Sequence, residues 1–502
     1  MSLNREKKAK LNIGISLLGQ LVVIICGLIV PRLIINSFGS EAYGATASIA
    51  QFLAYITLLE GGIGGVARAA LYKPLADNDM KEISLVISEI QHFFRIISFV
   101  FLAYVIVLAC SFKYISHISC FDWISTALLV VVISISTFAQ YFIGISYAVL
   151  LQAAQKTYIT QITSILTVIL NTLLIAILIL LGSNLIVVKL VSSVVFSIRP
   201  VLLWLYVKRE FRLEKIRNSS CNRLEQKWTG LAQHFAYFLH SNTDIAVLTV
   251  FADLTLVAVY SVYNMVIGQI QNLVAAFSTG MEAVFGDMLA KHEFEMLHKT
   301  FNLYEMLISI VSGVLFSTTA VLIVPFVRLY TSGVSDAHYI YPTFGILMIS
   351  ASLLFSLRLP YHAMIIAAGH FSQTKVGAYG EAVVNITLSI ILVIKIGLLG
   401  VAIGTLVAVS FRFIYYVVYL SREICCRSPR LFIKRLIINV LSFAIIVVMG
   451  NTITVHFDIN NFVIWGAMGV VITLMALLVQ VFLNFFCFRL DFYNLISKVR
   501  RK

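Results

Sequence analysis

The sequence predicts an all-α membrane protein of about fourteen transmembrane helices, arranged as two parallel six-helix repeats followed by two further helices. Three observations predict it: an apolar composition, a regular succession of membrane-length apolar runs, and segments that recur at a fixed offset.

The 502 residues are 60% hydrophobic and 12% charged, against roughly 25% charged in a soluble domain, which excludes a soluble fold. A hydrocarbon crossing takes about 20 apolar residues, and inside hydrocarbon an open chain satisfies its backbone only as helix. Such runs fall at roughly 11–36, 42–66, 92–112, 123–147, 157–181, 185–207, 230–252, 256–281, 299–326, 338–366, 374–397, 399–421, 431–451 and 461–487.

The net charge of +14 suggests nucleic acid until the basic residues are located. With the N-terminus inside, Arg5, Lys7, Lys8 and Lys10 are cytoplasmic, as are Arg68, Lys73, Lys81 and Lys156. The same side takes the rich stretch from Lys208 to Lys227, then Lys291, Lys299, Lys375, the run from Arg422 to Arg435 and the tail from Arg489 to Lys502. The outer loops hold little beyond Lys113 and Arg328. This asymmetry orients the chain with both termini cytoplasmic and an even helix count, and the charge meets lipid headgroups rather than nucleic acid. The first apolar run is too long for a signal peptide and has no small-residue cleavage site. Seven cysteines give no disulfide framework; Cys110 and Cys120 alone approach the outside, and whether they pair is left open.

Tyr147-Ala148-Val149-Leu150-Leu151-Gln152-Ala153-Ala154 returns as Tyr361-His362-Ala363-Met364-Ile365-Ile366-Ala367-Ala368, an offset of 361 − 147 = 214. The same offset takes Asn171 to Asn385, and nearly the same takes Arg199 to Arg412. The organisation expected is a first bundle over about 1–210, a basic linker over 211–229, a second bundle over 230–422, and a last helix pair with a basic tail over 423–502. Parallel repeats imply two bundles around a pseudo-twofold axis along the membrane normal, with a substrate cavity between them and alternating access.

The repeat with two added helices, the basic N-terminus and Phe38-Gly39-Ser40-Glu41-Ala42-Tyr43-Gly44 between the first two spans resemble the polysaccharide-transport flippases. These belong to the multidrug/oligosaccharidyl-lipid/polysaccharide exporter superfamily. The resemblance implies an inner-membrane flippase of a lipid-linked oligosaccharide for O-antigen, capsule or exopolysaccharide. It further implies membrane lipids and a coupling ion (proton or sodium) as partners, contact with polysaccharide polymerase machinery, and action as a monomer.

Ionisable residues inside spans are costly and turn toward wet cavities or partners. Away from helix ends these are Arg32, Glu60, Lys189, Arg199, Asp244, Arg358, Glu381, Lys395 and Arg412, so cations outnumber acids. Arg32, Arg199, Arg358 and Arg412 are the expected diphosphate ligands, because a guanidinium grips phosphate bidentately. Tyr237 joins them from a face shared with His234, Ser241 and Asp244. Tyr415, Tyr416 and Tyr419 share the face of Arg412. The competing reading has Arg199 and Arg412 snorkelling to headgroups beside an interfacial tyrosine belt. Glu60 and Asp244 are expected to balance the arginines or carry the coupling ion. Asn171 and Asn385 read as interhelical glue.

Gly62-Ile63-Gly64-Gly65-Val66-Ala67 fits a dinucleotide fingerprint but follows no strand. Asp77-Asn78-Asp79 sits in a loop too short for a nucleotide domain, Glu89 and His92 lack further metal ligands, and there is no phosphate-binding loop for ATP. No cofactor or metal and no catalytic residue is expected. The rivals are a multidrug/cation antiporter of the same fold and a membrane-embedded polysaccharide polymerase or ligase. An arginine-biased interior speaks against the first, and outer loops of only about 3–15 residues against the second.

Overall fold

The computed structural model describes residues 5–60, 63–211, 213, 242–278, 280–424 and 430–488, and they are helical almost throughout. In chain order the first helices are α1 (Arg5–Phe38), α2 (Ser40–Ala54), α3 (Thr57–Glu60), α4 (Ile63–Asp77), α5 (Met80–Ser116) and α6 (Trp123–Ala139). A π turn, Gln140–Gly144, leads into α7 (Ile145–Ala153), followed by α8 (Thr157–Leu180), α9 (Leu185–Phe211) and α10 (Asn242–Phe251). Then come α11 (Leu254–Ala276), α12 (Met281–Ala290), α13 (Phe294–Tyr330), α14 (Pro342–Leu357), α15 (Leu359–Ala367), α16 (Phe371–Ile396) and α17 (Leu398–Tyr419). A second π turn, Leu420–Ile424, precedes α18 (Arg430–Val455) and α19 (Phe462–Cys487).

Thirteen stretches among the described residues are long and apolar enough to cross a membrane. The seventh expected span is described only over α10. The chain divides into two compact units, residues 1–238 with 253–258, and residues 239–252 with 259–502.

Helix boundaries repeat as the sequence does. α5 and α13 are both 37 residues long and start 294 − 80 = 214 apart, while α7 and α15 both run nine residues and start 359 − 145 = 214 apart. The turns repeat too: the left-handed residues Asn78 and His292, and Gln155 and Gly369, are each 214 apart. Even a side-chain pair is preserved in kind. Gln91 meets Tyr147 in the first unit, and Glu305, 214 residues on, bonds Tyr361 in the second.

Each element follows from local chemistry. Asp79 caps α5 by accepting from the Glu82 amide at 3.0 Å, and Asn461 caps α19 through the Ile464 amide at 2.8 Å, satisfying donors that would otherwise be orphaned at a helix start. Along α5, Ile83, Ile87, Ile90, Phe94, Ile97, Phe101, Val105, Leu108 and Phe112 recur at helical spacing and are all buried, forming the spine of the first unit's core. The opposite face shows Phe99, Ile106 and Val107 outward, as a lipid-contacting surface does. In the second unit α13 is the central helix, with α14, α18 and α19 packed around it.

Candidate functional site

The second unit holds three buried polar clusters, and all depend on how closely its helices approach. A Cβ at Gly400 would lie 2.3 Å from the Leu392 carbonyl carbon, and one at Gly404 would lie 2.4 Å from Ser389 Oγ. These two glycines, four apart on α17, let the α16 and α17 backbones come together as small-xxx-small motifs do. Glu381, Asn385 and Ser389, each four residues apart on α16, share the face that meets α17, and all three are fully buried.

At the first cluster Glu381 receives two arginines. Its Oε1 accepts from Arg358 Nη1 at 2.8 Å, and its Oε2 accepts from Arg412 Nη1 at 2.5 Å. Arg358 lies at the break between α14 and α15 and is 4% exposed; Arg412 is 6% exposed and Glu381 0%. Arg412 Nη2 donates to Tyr416 Oη at 2.7 Å, one turn along α17. The aromatic walls are Phe355, 4.6 Å from the Arg358 guanidinium, and Tyr416, 5.0 Å from that of Arg412. His362 stacks on Tyr416 with planes 2° apart. Arg412 Nε is buried without a hydrogen-bond partner. Removing one partner of such a buried pair costs about 3–5 kcal/mol, because a charge is stranded.

Asp244 of α10 forms the second. Its carboxylate accepts from Tyr260 Oη at 2.9 Å, from Thr405 Oγ1 at 3.1 and 3.0 Å, and, at 3.5 Å, from Asn385 Nδ2. Among the described residues all of these partners are neutral, so a buried carboxylate sits among hydroxyls and an amide.

The third ties α18 to α13. Glu305 accepts from Tyr361 Oη and from Arg435 Nη1, with both charged residues almost fully buried. Asn439 Nδ2 donates to Ser309 Oγ at 2.6 Å and Gln480 Nε2 to Ser442 Oγ at 2.7 Å, continuing the polar seam into α19. Arg435, which the charge pattern places with the orienting cytoplasmic residues, is therefore an internal structural cation. Its reach back to Glu305 on a helix 130 residues earlier left no trace in loop statistics.

Of the sequence-derived candidates, the structure brings together Arg358 and Arg412. Tyr416 is the one tyrosine of the α17 face that meets Arg412; Tyr415 donates instead to the Gln373 carbonyl at 3.2 Å, and Tyr419 pairs with His370 Nδ1 at 2.8 Å. Arg32, Glu60 and Arg199 lie in the first unit. Tyr141 Oη donates to Glu60 at 3.3 Å. Arg199 is half-buried with its Nε buried and unsatisfied, and no ion pair joins it to any described residue. Tyr237, with His234 and Ser241, lies outside the described residues. Asn385 bonds across helices as expected, whereas Asn171 Oδ1 is buried without a partner. Sequence reasoning counted Glu381 among the ionisable residues inside spans but gave it no role, and it did not single out Glu305. The four-residue spacing of Glu381, Asn385 and Ser389 on an otherwise apolar helix was the available signal for the first; for Glu305 the repeat mate Gln91 was the only one.

Membrane-length helices that recur at a fixed offset and enclose buried ion pairs define a multi-pass membrane protein. No family description and no curated protein matches the sequence. Among solved structures, the chain is similar to the lipid II flippase MurJ in an inward closed conformation, with a TM-score of 0.65 and 16% identity over 92% of this chain and 98% of that one. It is also similar to the MATE multidrug transporter DinF-BH, with a TM-score of 0.59 and 16% identity over 84% of this chain and 96% of that one. An inward-facing multidrug resistance MATE family transporter of the MOP superfamily gives a TM-score of 0.57 at 18% identity, over 80% and 95%. The chain has the fold these proteins share.

Proposed function

We propose that the protein is a flippase that carries a polyprenyl-diphosphate-linked oligosaccharide from the cytoplasmic to the outer leaflet of the bacterial inner membrane by alternating access, supplying a surface polysaccharide such as O-antigen, capsule or exopolysaccharide. The observation that carries this reading is the convergence of Arg358 and Arg412 on a single buried point, with aromatic walls, inside the membrane. Planar guanidiniums at one place suit a phosphate-bearing head, and an interior that gathers cations disfavours a cationic cargo. Arg32, Arg199 and Tyr237 are further contacts along the path, and Glu60 and Asp244 are the charge-balancing or ion-coupling groups. An apolar groove of about 420 Å³ between α11, α13 and α19, lined by Val266, Ile270, Phe326, Trp465 and Leu474, suits the polyprenyl tail. The basic inner loops put both termini in the cytoplasm. The likeness in fold to a lipid II flippase agrees with lipid-linked cargo.

The test is flipping in proteoliposomes, comparing a fluorescent lipid-linked oligosaccharide with a cationic dye. Flipping of the glycan lipid that falls in Arg358→Lys and Arg412→Lys supports the reading, because lysine keeps the charge without the planar fork. Dye transport without glycan flipping overturns it. A drug/cation antiporter is the second reading, favoured by Asp244, a buried carboxylate whose partners among the described residues are hydroxyls and an amide.

A further inference from the structure

Glu381 takes one guanidinium on each of its two oxygens, the arrangement in which two oxygens of one phosphate would be held. Two features set this cluster apart from an ordinary structural salt bridge. It carries two cations to one anion. Its counterpart among the described residues of the first repeat is missing. At the same 214-residue offset, Glu381 and Arg358 correspond to Thr167 and Gly144, and among the described residues no acid pairs with Arg199 there. The repeat folds without the cluster, so the fold does not require it.

We infer that Glu381 is an internal stand-in for the phosphate of the cargo: seated, it keeps Arg358 and Arg412 aligned and offsets part of their charge, and a phosphate-bearing ligand takes the two guanidiniums by displacing it. This rests on the flippase reading and adds to it a competitor built into the site. Phe355 and Tyr416 hold the guanidinium planes from the side in either state, so exchange of one anion for another needs motion of the Glu381 side chain and not of the arginines. Glu381 is thus a positioning residue. Its second effect is to set how readily the phosphate leaves, since carboxylate and phosphate compete for the same donors.

The competition makes a prediction opposite in sign to simple damage. In Glu381→Gln the acid that repels an incoming phosphate at about 4 Å is gone, and at an effective dielectric near 20 that repulsion is strong. Purified protein carrying Glu381→Gln should bind inorganic pyrophosphate at least about tenfold tighter than wild type by calorimetry. Pyrophosphate should also raise its unfolding temperature while leaving wild type unmoved, because the ligand restores the missing counter-charge. Adding Arg412→Met to Glu381→Gln should abolish both effects. If Glu381→Gln does not accumulate, the same thermal measurement is made on Glu381→Asp, whose carboxylate is drawn back by about one bond, ~1.5 Å, and pyrophosphate should still stabilise it more than wild type. Equal or weaker pyrophosphate binding in the Glu381 variant measured overturns the stand-in. The flippase reading then still stands if Arg358→Lys and Arg412→Lys lose glycan-lipid flipping, and falls separately if they do not.

Discussion

Replacing Gly400 by alanine adds one methyl group where there is no room for it. The new Cβ would lie 2.3 Å from the Leu392 carbonyl carbon and 2.5 Å from its oxygen, against a comfortable separation of about 3.5 Å. Both obstacles are backbone, so no rotamer change relieves them and α17 must withdraw from α16 by roughly 1 Å. The alanine gains about 1 kcal/mol of helix propensity, while overpacking costs about 1–3 kcal/mol. The larger loss is in the site. The Thr405–Asn385 bond between α17 and α16, already 3.3 Å long, would stretch past hydrogen-bonding range, and the Arg412–Glu381 contact would open from the same side. Thermal unfolding of the purified protein should fall by a few degrees, and glycan export at matched protein level should fall much further. Gly286→Ala, inside α12 where the Cβ meets nothing within 4 Å, is the control and should lower neither the unfolding temperature nor export. An unchanged unfolding temperature with full export in Gly400→Ala would refute the claim that close α16–α17 approach assembles the site.

Arg435→Leu strands the buried Glu305 carboxylate and should destabilise by about 3–5 kcal/mol; replacing Glu305 by Gln in the same chain should recover part of that loss, as measured by unfolding, and no recovery would argue against a direct pair. Asp244→Asn keeps the Tyr260 and Thr405 contacts sterically possible but removes the charge, so turnover should drop while cargo binding is retained; normal turnover would remove Asp244 from coupling. Reporters fused after residues 220, 428 and 502 should read cytoplasmic and those near 116, 334 and 457 external, and any reversal would break the orientation argued from basic loops. In the loop between α5 and α6, burial and the neighbouring Glu41 carboxylate push the Cys120 thiol up to about 12. The thiolate is the reactive form, so at neutral pH maleimide labelling of Cys120 in a Cys110→Ser background should be slow. Glu41→Gln removes the charge that disfavours the thiolate and should shift the labelling curve to lower pH; an unshifted curve would exclude the electrostatic cause.

Membrane class, helices and repeat are legible in the letters alone, because they rest on local quantities. Hydrocarbon thickness sets the length of an apolar run, and an offset of 214 residues is visible in the sequence before it is visible in helix boundaries. Arg358, Arg412 and Asp244 are legible too, since any ionisable side chain in such a run is conspicuous by its cost. Who meets whom is a matter of the folded chain. Glu381 finds Arg358 23 residues before it and Arg412 31 residues after it, and Asp244 finds Thr405 across 161 residues. Arg435 passed for a loop charge until Glu305 was placed beside it. Pairing of this kind depends on which helix faces come into contact and on how near two backbones approach where side chains are absent, as at Gly400 and Gly404. Helical periodicity assigns a residue to a face of its own helix, but the partner of that face is set by packing over the whole bundle, because in lipid the helices are selected by close contact and buried polar bonds instead of by a hydrophobic drive.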